Sequence, residues 1–219
     1  MFKKLFSTFI LILCLTSAFA QKDKTFVFLH SRTDKPELSE EEVEKLMTAH
    51  LANIDRLAAE GKILSAGPFE GGGGIFVMST GSISEAEEWL STDPGVQAQR
   101  WRIEMQPFSV SEGGICPATE PYEMVTYNMV RFEQHNEIAN YKVSSSKETS
   151  LTTLAAIQNL KKSNDLLLVC DFGQGKGGVF LYKGEDQTTM IEKDDAVQNG
   201  EVDVSFKKLW IAKGSFCED

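Results

Sequence analysis

The chain has 219 residues, with 22 Lys or Arg against 32 Asp or Glu, so its formal net charge is −10. An acidic chain repels phosphate backbones and anionic lipid surfaces, which argues against nucleic acid and membranes as partners. The length allows two units that each hold a core; units of about 90 residues are marginal alone and gain by burying sheet faces against each other.

The first segment reads as a leader. Met1-Phe2-Lys3-Lys4 gives a basic start, Leu5 to Leu15 an apolar run, and Ala18-Phe19-Ala20 a cleavage site before Gln21. This is the pattern of a secretory signal peptide, and the run is shorter than the roughly 20 residues a membrane span needs. Residues 1–20 are expected to be removed and the product to be secreted or periplasmic. Cys14 follows Leu13, too large a residue for the usual lipoprotein site. Loss of Lys3 and Lys4 makes the remaining chain more acidic still.

Thr25 to His30 has strand composition. Ser39 with Glu42 forms a capping box, and Val43, Leu46, Met47, His50, Ile54, Leu57 and Ala58 recur at helical spacing until Gly61, predicting an amphipathic helix laid on a sheet. Lys62 to Ala66 and Ile75 to Ser79 read as strands joined by a loop containing Gly71 to Gly74, a hairpin signature. Ser84 with Glu87 is expected to cap a second helix ending near Leu90, and Trp101 to Val110 returns as a strand. The order is βαββαβ, a ferredoxin-like arrangement with both helices on one face of an antiparallel sheet.

The same pattern then recurs. Ile54 to Met78 and Ile157 to Tyr182 share a register in which Leu57 falls on Leu160, Phe69 on Phe172 and Phe76 on Phe180. Asp93 to Gln97 falls on Asp194 to Gln198 and Cys116 on Cys217. After a connector, residues 111–121, the second unit reads as strands at Tyr122 to Phe132, Leu166 to Cys170, Val179 to Lys183 and Val204 to Ala212. Its helices are expected at Thr149 to Lys162 and Thr188 to Asp194, with an irregular loop from Gln134 to Lys147. The domains expected are therefore 1–20, 21–110, 111–121 and 122–219. Self-similarity of this kind implies two stacked copies of one unit. His50, however, falls on Thr153, so at most one chemical site is expected. Packing about a pseudo-twofold axis would let Cys116 and Cys217 meet as a disulfide; the alternative is two unpaired thiols.

Read with these elements in place, the first repeat resembles the YCII-related family of small dimeric α+β barrel proteins. The resemblance rests on Ala49-His50-Leu51, on Gly61-Lys62-Ile63-Leu64-Ser65-Ala66-Gly67-Pro68, on Asp93-Pro94 and on Gln106-Pro107-Phe108. It implies an α+β fold in which two ferredoxin-like units pair; here both would lie in one chain, a covalent pseudo-dimer, with further homo-oligomerisation left open. It also implies a His-Asp active site on His50 and Asp93, and its strand motif offers Ser65, Gly67 and Pro68 as substrate contacts. The second repeat, lacking the His, looks like a structural partner.

Residue chemistry alone gives His50 two readings. A His on an apolar helix stripe near a carboxylate is held in one tautomer and can act as a base near neutral pH; it can equally be a satisfied core residue, with Asp93 a turn residue before Pro94. Gly173, Gly175 and Gly178 satisfy G-x-G-x-x-G, but a strand rather than a helix follows, so no dinucleotide site is expected. With only His30, His50 and His135 and no C-x-x-C, no metal is expected, nor any other cofactor; some dimeric α+β barrels hold haem through an axial His, without separate support here. Two classes remain: a small-molecule lyase or isomerase moving a proton next to a carbonyl, or a non-catalytic exported binding or structural module.

Overall fold

A computed structural model describes residues 23–118, 120–134, 154–173 and 175–217. The expected leader, the loop from Gln134 onward, His135 and Thr153 fall largely or wholly outside them.

The first unit runs β1 (Lys24–Ser31), α1 (Glu40–Ala59), β2 (Ile63–Pro68), β3 (Gly74–Met78), α2 (Ile83–Leu90), α3 (Pro94–Gln97) and β4 (Trp101–Gly113). The second repeats the order with β5 (Met124–Gln134), α4 (Ala155–Ser163), β6 (Leu166–Asp171), β7 (Gly178–Tyr182), α5 (Thr188–Glu192), α6 (Asp195–Gln198) and β8 (Val202–Ala212). The fold is α+β, built from two ferredoxin-like units as the sequence predicts. β4 extends to Gly113, through the start of the expected connector, and the helix expected at Thr188 to Asp194 is two short ones.

Pairing is antiparallel throughout, in the order β2-β3-β1-β4-β6-β7-β5-β8. The free edges of β2 and β8 then meet: Phe69 bridges Leu209, and Glu70 N–H donates to the Lys208 carbonyl at 3.0 Å. The eight strands thus close a barrel, which removes the exposed edges a sheet would otherwise carry. Gly67 sits at this seam, where a Cβ would lie 2.4 Å from the Trp210 carbonyl oxygen.

Strand alternation sorts the side chains. Phe26, Phe28, Ile75, Val77, Phe108, Leu181, Leu209 and Ile211 fill the barrel interior. Val27, Leu29, Phe76 and Met78 face outward under α1 and α2 with Leu57 and Leu90, and Val130, Phe180 and Tyr182 do the same under α4 with Ile157 and Leu160. Because β1 and β3 are covered on both faces, they read as unbroken apolar runs rather than alternating ones.

Alternating strand directions bring the β2–β3 and β6–β7 hairpins to the same mouth of the barrel. The opposite end carries the disulfide between Cys116 and Cys217, 101 residues apart in sequence with Cα atoms at 5.0 Å, as pseudo-twofold packing allowed. Gly173 to Gly178 lies in the second hairpin and leads into β7. Among the described residues no helix is long and apolar enough to cross a membrane.

Candidate active site

α1 begins as expected. Ser39 Oγ accepts from Glu42 N–H at 3.3 Å and Glu42 Oε2 accepts from Ser39 N–H at 2.8 Å, which satisfies two free donors of the first turn. Its buried residues are His50, Asn53 and Leu57; Met47 and Ala58, expected on the buried stripe, are exposed. The cap of α2 is Ser82, whose hydroxyl accepts from Glu85 N–H, not Ser84. Starting the helix at Ile83 points Ala86 and Leu90 at the sheet, and that burial selects the earlier serine.

Asp93 is the N-cap of α3, with Pro94 in the first turn. One carboxylate oxygen, Oδ1, accepts from Gly95 N–H at 2.8 Å and Val96 N–H at 3.1 Å. The other, Oδ2, accepts from His50 Nδ1 at 2.7 Å and Asn53 Nδ2 at 3.3 Å. Burial pushes the Asp93 carboxyl up, but the His50 hydrogen bond and charge, the Val96 N–H and the Asn53 amide outweigh it and hold it below the usual range. An ionised carboxylate can only accept, so the proton of the contact belongs to His50 Nδ1 and the ring tautomer is set. His50 Nε2 is left with no hydrogen-bond partner among the described residues.

Asn53 is held in turn. Its Oδ1 accepts from Arg56 at 2.8 Å and from the Thr92 hydroxyl at 3.1 Å, which leaves its amide N–H directed at Asp93. Trp101 packs at a tilt of 42° against the His50 ring with centroids 4.9 Å apart, and Phe76 lies at 6.1 Å on the sheet beneath. Gly95 permits this arrangement, because a Cβ there would fall 2.4 Å from the Trp101 ring. The result is a buried, oriented His-Asp pair, with His50 5 % and Asp93 1 % exposed.

The second unit solves the same place differently. Asp194 caps α6 and accepts from Ala196 N–H at 3.1 Å, as Asp93 caps α3. Its other oxygen takes the backbone N–H of Ala155, the first residue of α4, at 2.9 Å. A backbone donor at a helix start occupies the position that His50 fills in the first unit, so here the carboxylate only caps.

The strand motif lies apart from the pair. Ser65 is opposite Val77, whose side chain belongs to the barrel interior, so Ser65 is on the other face of the sheet from His50. Gly67 is at the β2–β8 seam and Pro68 is exposed at the hairpin. His50 and Asp93 come together; Ser65, Gly67 and Pro68 do not join them. Asn53, Trp101 and Gly95 complete the pair's surroundings. Asn53 could have been found from its spacing, three residues after His50 on the same helix face.

Against known proteins, residues 25–105 match the family model described as the YCII-related domain. No curated protein matches the chain.

Proposed function

From the premise that the domain at residues 25–105 belongs to the YCII-related family, we propose that this is an exported small-molecule enzyme of the lyase or isomerase type, in which His50 and Asp93 move a proton next to a carbonyl. The observation that carries the reading is the 2.7 Å contact of Asp93 with His50 Nδ1, which leaves Nε2 without a hydrogen-bond partner among the described residues. In the neutral tautomer Nε2 is a base. It takes a proton from the carbon beside the carbonyl, the electron pair of that bond moves toward the carbonyl oxygen, and the imidazolium so formed is stabilised by the Asp93 carboxylate. Return of the proton to a different carbon, or to the other face of the same one, completes an isomerisation; its delivery to a group departing from the next carbon, as the electron pair returns to form the new double bond, completes an elimination. Such general acid-base help is worth about 10²–10⁴ in rate.

Access is the restriction. His50 is nearly enclosed, and the half-buried Trp101 ring tilts against it.

The test is exchange of deuterium from D₂O into the carbon next to the carbonyl across a panel of ketones, aldehydes and 2-keto acids, followed by proton NMR. Wild type is expected to catalyse exchange of at least one class, and His50→Gln to lose about 10²-fold or more. Nitrogen-15 NMR should show the Nδ1-protonated tautomer of His50 in wild type. Exchange at the buffer rate throughout the panel, or a proton on Nε2 rather than Nδ1, would overturn the reading in favour of a non-catalytic module.

A further inference from the structure

Among the described residues the barrel has a cavity at the end that carries the two glycine-rich hairpins, and it shares no residue with the His50–Asp93 pair. Its volume is about 380 Å³, and its wall includes Phe28, His30, Phe69, Arg102, Arg131 and Lys207. That is within the usual range for a small-molecule site.

The charges around it are unbalanced in one direction. Arg131 is bound by Glu104 through both guanidinium ends, at 3.0 and 2.7 Å, and by Glu133 at 2.9 Å, while Glu104 also receives His30 Nε2 at 2.8 Å. Both carboxylates are thus engaged by Arg131 and His30. Neither Arg102 nor Lys207 has a carboxylate at ion-pair distance among the described residues, so two cations remain uncompensated at one mouth of an acidic protein. The Nε of Arg131 is buried with no acceptor, and an unpaired buried donor is costly.

The cations are also positioned. Arg131 lies over the Phe28 ring at 4.7 Å and Lys207 over the Phe69 ring at 6.0 Å, contacts that favour these placements, and both rings are part of the cavity wall. In the second unit's own register Arg131 stands opposite Ser205, whereas Phe28 stands opposite Glu104 in the first. The mouth is therefore not symmetric, and a ligand would have one orientation.

We propose that this mouth binds a small organic carboxylate with an aromatic or apolar body, the carboxylate set among Lys207, Arg102 and Arg131 and the body against Phe28 and Phe69. The site goes beyond the proton-transfer reading and does not depend on it.

The test uses the full mature protein and two probes of matched shape, benzoate and its neutral isostere benzamide, in a nitrogen-15 NMR titration. Benzoate is expected to give saturable shifts at Leu29, His30, Gly72 and Lys207. Benzamide should bind at least about tenfold more weakly, a difference of about 1.4 kcal/mol. Lys207→Gln, whose fold is checked by its unperturbed spectrum away from the mouth, is expected to lose about tenfold for benzoate and nothing for benzamide, and His50→Gln to bind benzoate as wild type does. Equal affinity for the two probes, shifts located elsewhere, or no saturation with benzoate would each overturn the proposal. Benzoate binding that survives Lys207→Gln and Arg102→Gln unchanged would do the same.

Discussion

Glu104 carries the densest set of charged contacts at the barrel mouth, and its ionisation should be visible in stability. Burial alone would push its carboxyl up, but the Arg131 guanidinium, the Gln106 amide and the His30 ring overcome this and lower it from 4.5 to about 2. A carboxylate depressed on folding contributes stability that is complete above its unfolded value and is lost as pH falls through its folded one. The window is therefore from about pH 4.5 down to about 2, and the linkage is worth on the order of 3 kcal/mol. Urea unfolding of wild type across that window should show this loss, and Glu104→Gln should start less stable at neutral pH but decline less steeply. A parallel decline of the two proteins would mean the network is absent in solution. Glu104 was not legible in the sequence: between Ile103 and Met105 it reads as the solvent side of a strand, and its partner Arg131 is 27 residues away in the other unit. His50 and Asp93 were legible, because helical spacing marks one and the Asp-Pro turn the other. Asn53 was legible only as a polar residue on the His50 face of its helix; that its amide faces Asp93, 40 residues away, is a tertiary contact the spacing does not contain.

Between elements, the approach that bears on closure of the barrel is at Gly67, where β2 passes the backbone of β8. A Cβ there would meet the Trp210 carbonyl oxygen at 2.4 Å and Ile211 Cβ at 3.0 Å, and neither neighbour is a flexible side-chain end. Gly67→Val should therefore part the seam, at a cost of about 1–3 kcal/mol for overpacking. Hydrogen exchange should locate the damage: faster exchange at Glu70, whose N–H bonds the Lys208 carbonyl, with the β1–β4 ladder unchanged. Uniform protection in the variant would show that the seam relaxes at no cost. The strands themselves were placed by composition to within a few residues, because strongly apolar runs bounded by glycines have few alternatives. Helices fared less evenly. α1 is 20 residues and α4 is 9, and α4 opens where Asp194 accepts its first N–H. That start is a tertiary contact between residues 39 apart in sequence, which local propensity does not contain. The same contact goes with the asymmetry between the units: α1 is longer by about three turns, and there the capping carboxylate is the partner of a histidine instead.

At the scale of the whole molecule, the duplication implied the barrel before any single contact could, since each sheet has one bare face and the other unit is the nearest cover. What the duplication left open was how the closure is secured. Cys116 and Cys217 lie beyond β4 and β8, and Cys116 N–H donates to the Ser215 carbonyl at 3.0 Å beside the disulfide. The bond thus ties the end of the first unit to the end of the second, under the barrel floor formed in part by Tyr127 and Phe216. A crosslink spanning 101 residues removes much freedom from the unfolded chain, and such bonds are worth about 2–4 kcal/mol. Cys116→Ser with Cys217→Ser should lower stability by that amount in urea while the native spectrum persists, because the continuous eight-stranded ladder does not depend on the crosslink. Reduction of wild type should reproduce the variant, since Cys170 is buried and its thiol is pushed well above its ordinary value by burial. If the double variant unfolded as wild type does, the unfolded chain would have to be held compact by other means. If it lost the barrel altogether, closure would rest on the covalent bond rather than on the β2–β8 seam, and the seam variant Gly67→Val would then be nearly silent. The two variants together therefore decide which of the two closures holds the molecule.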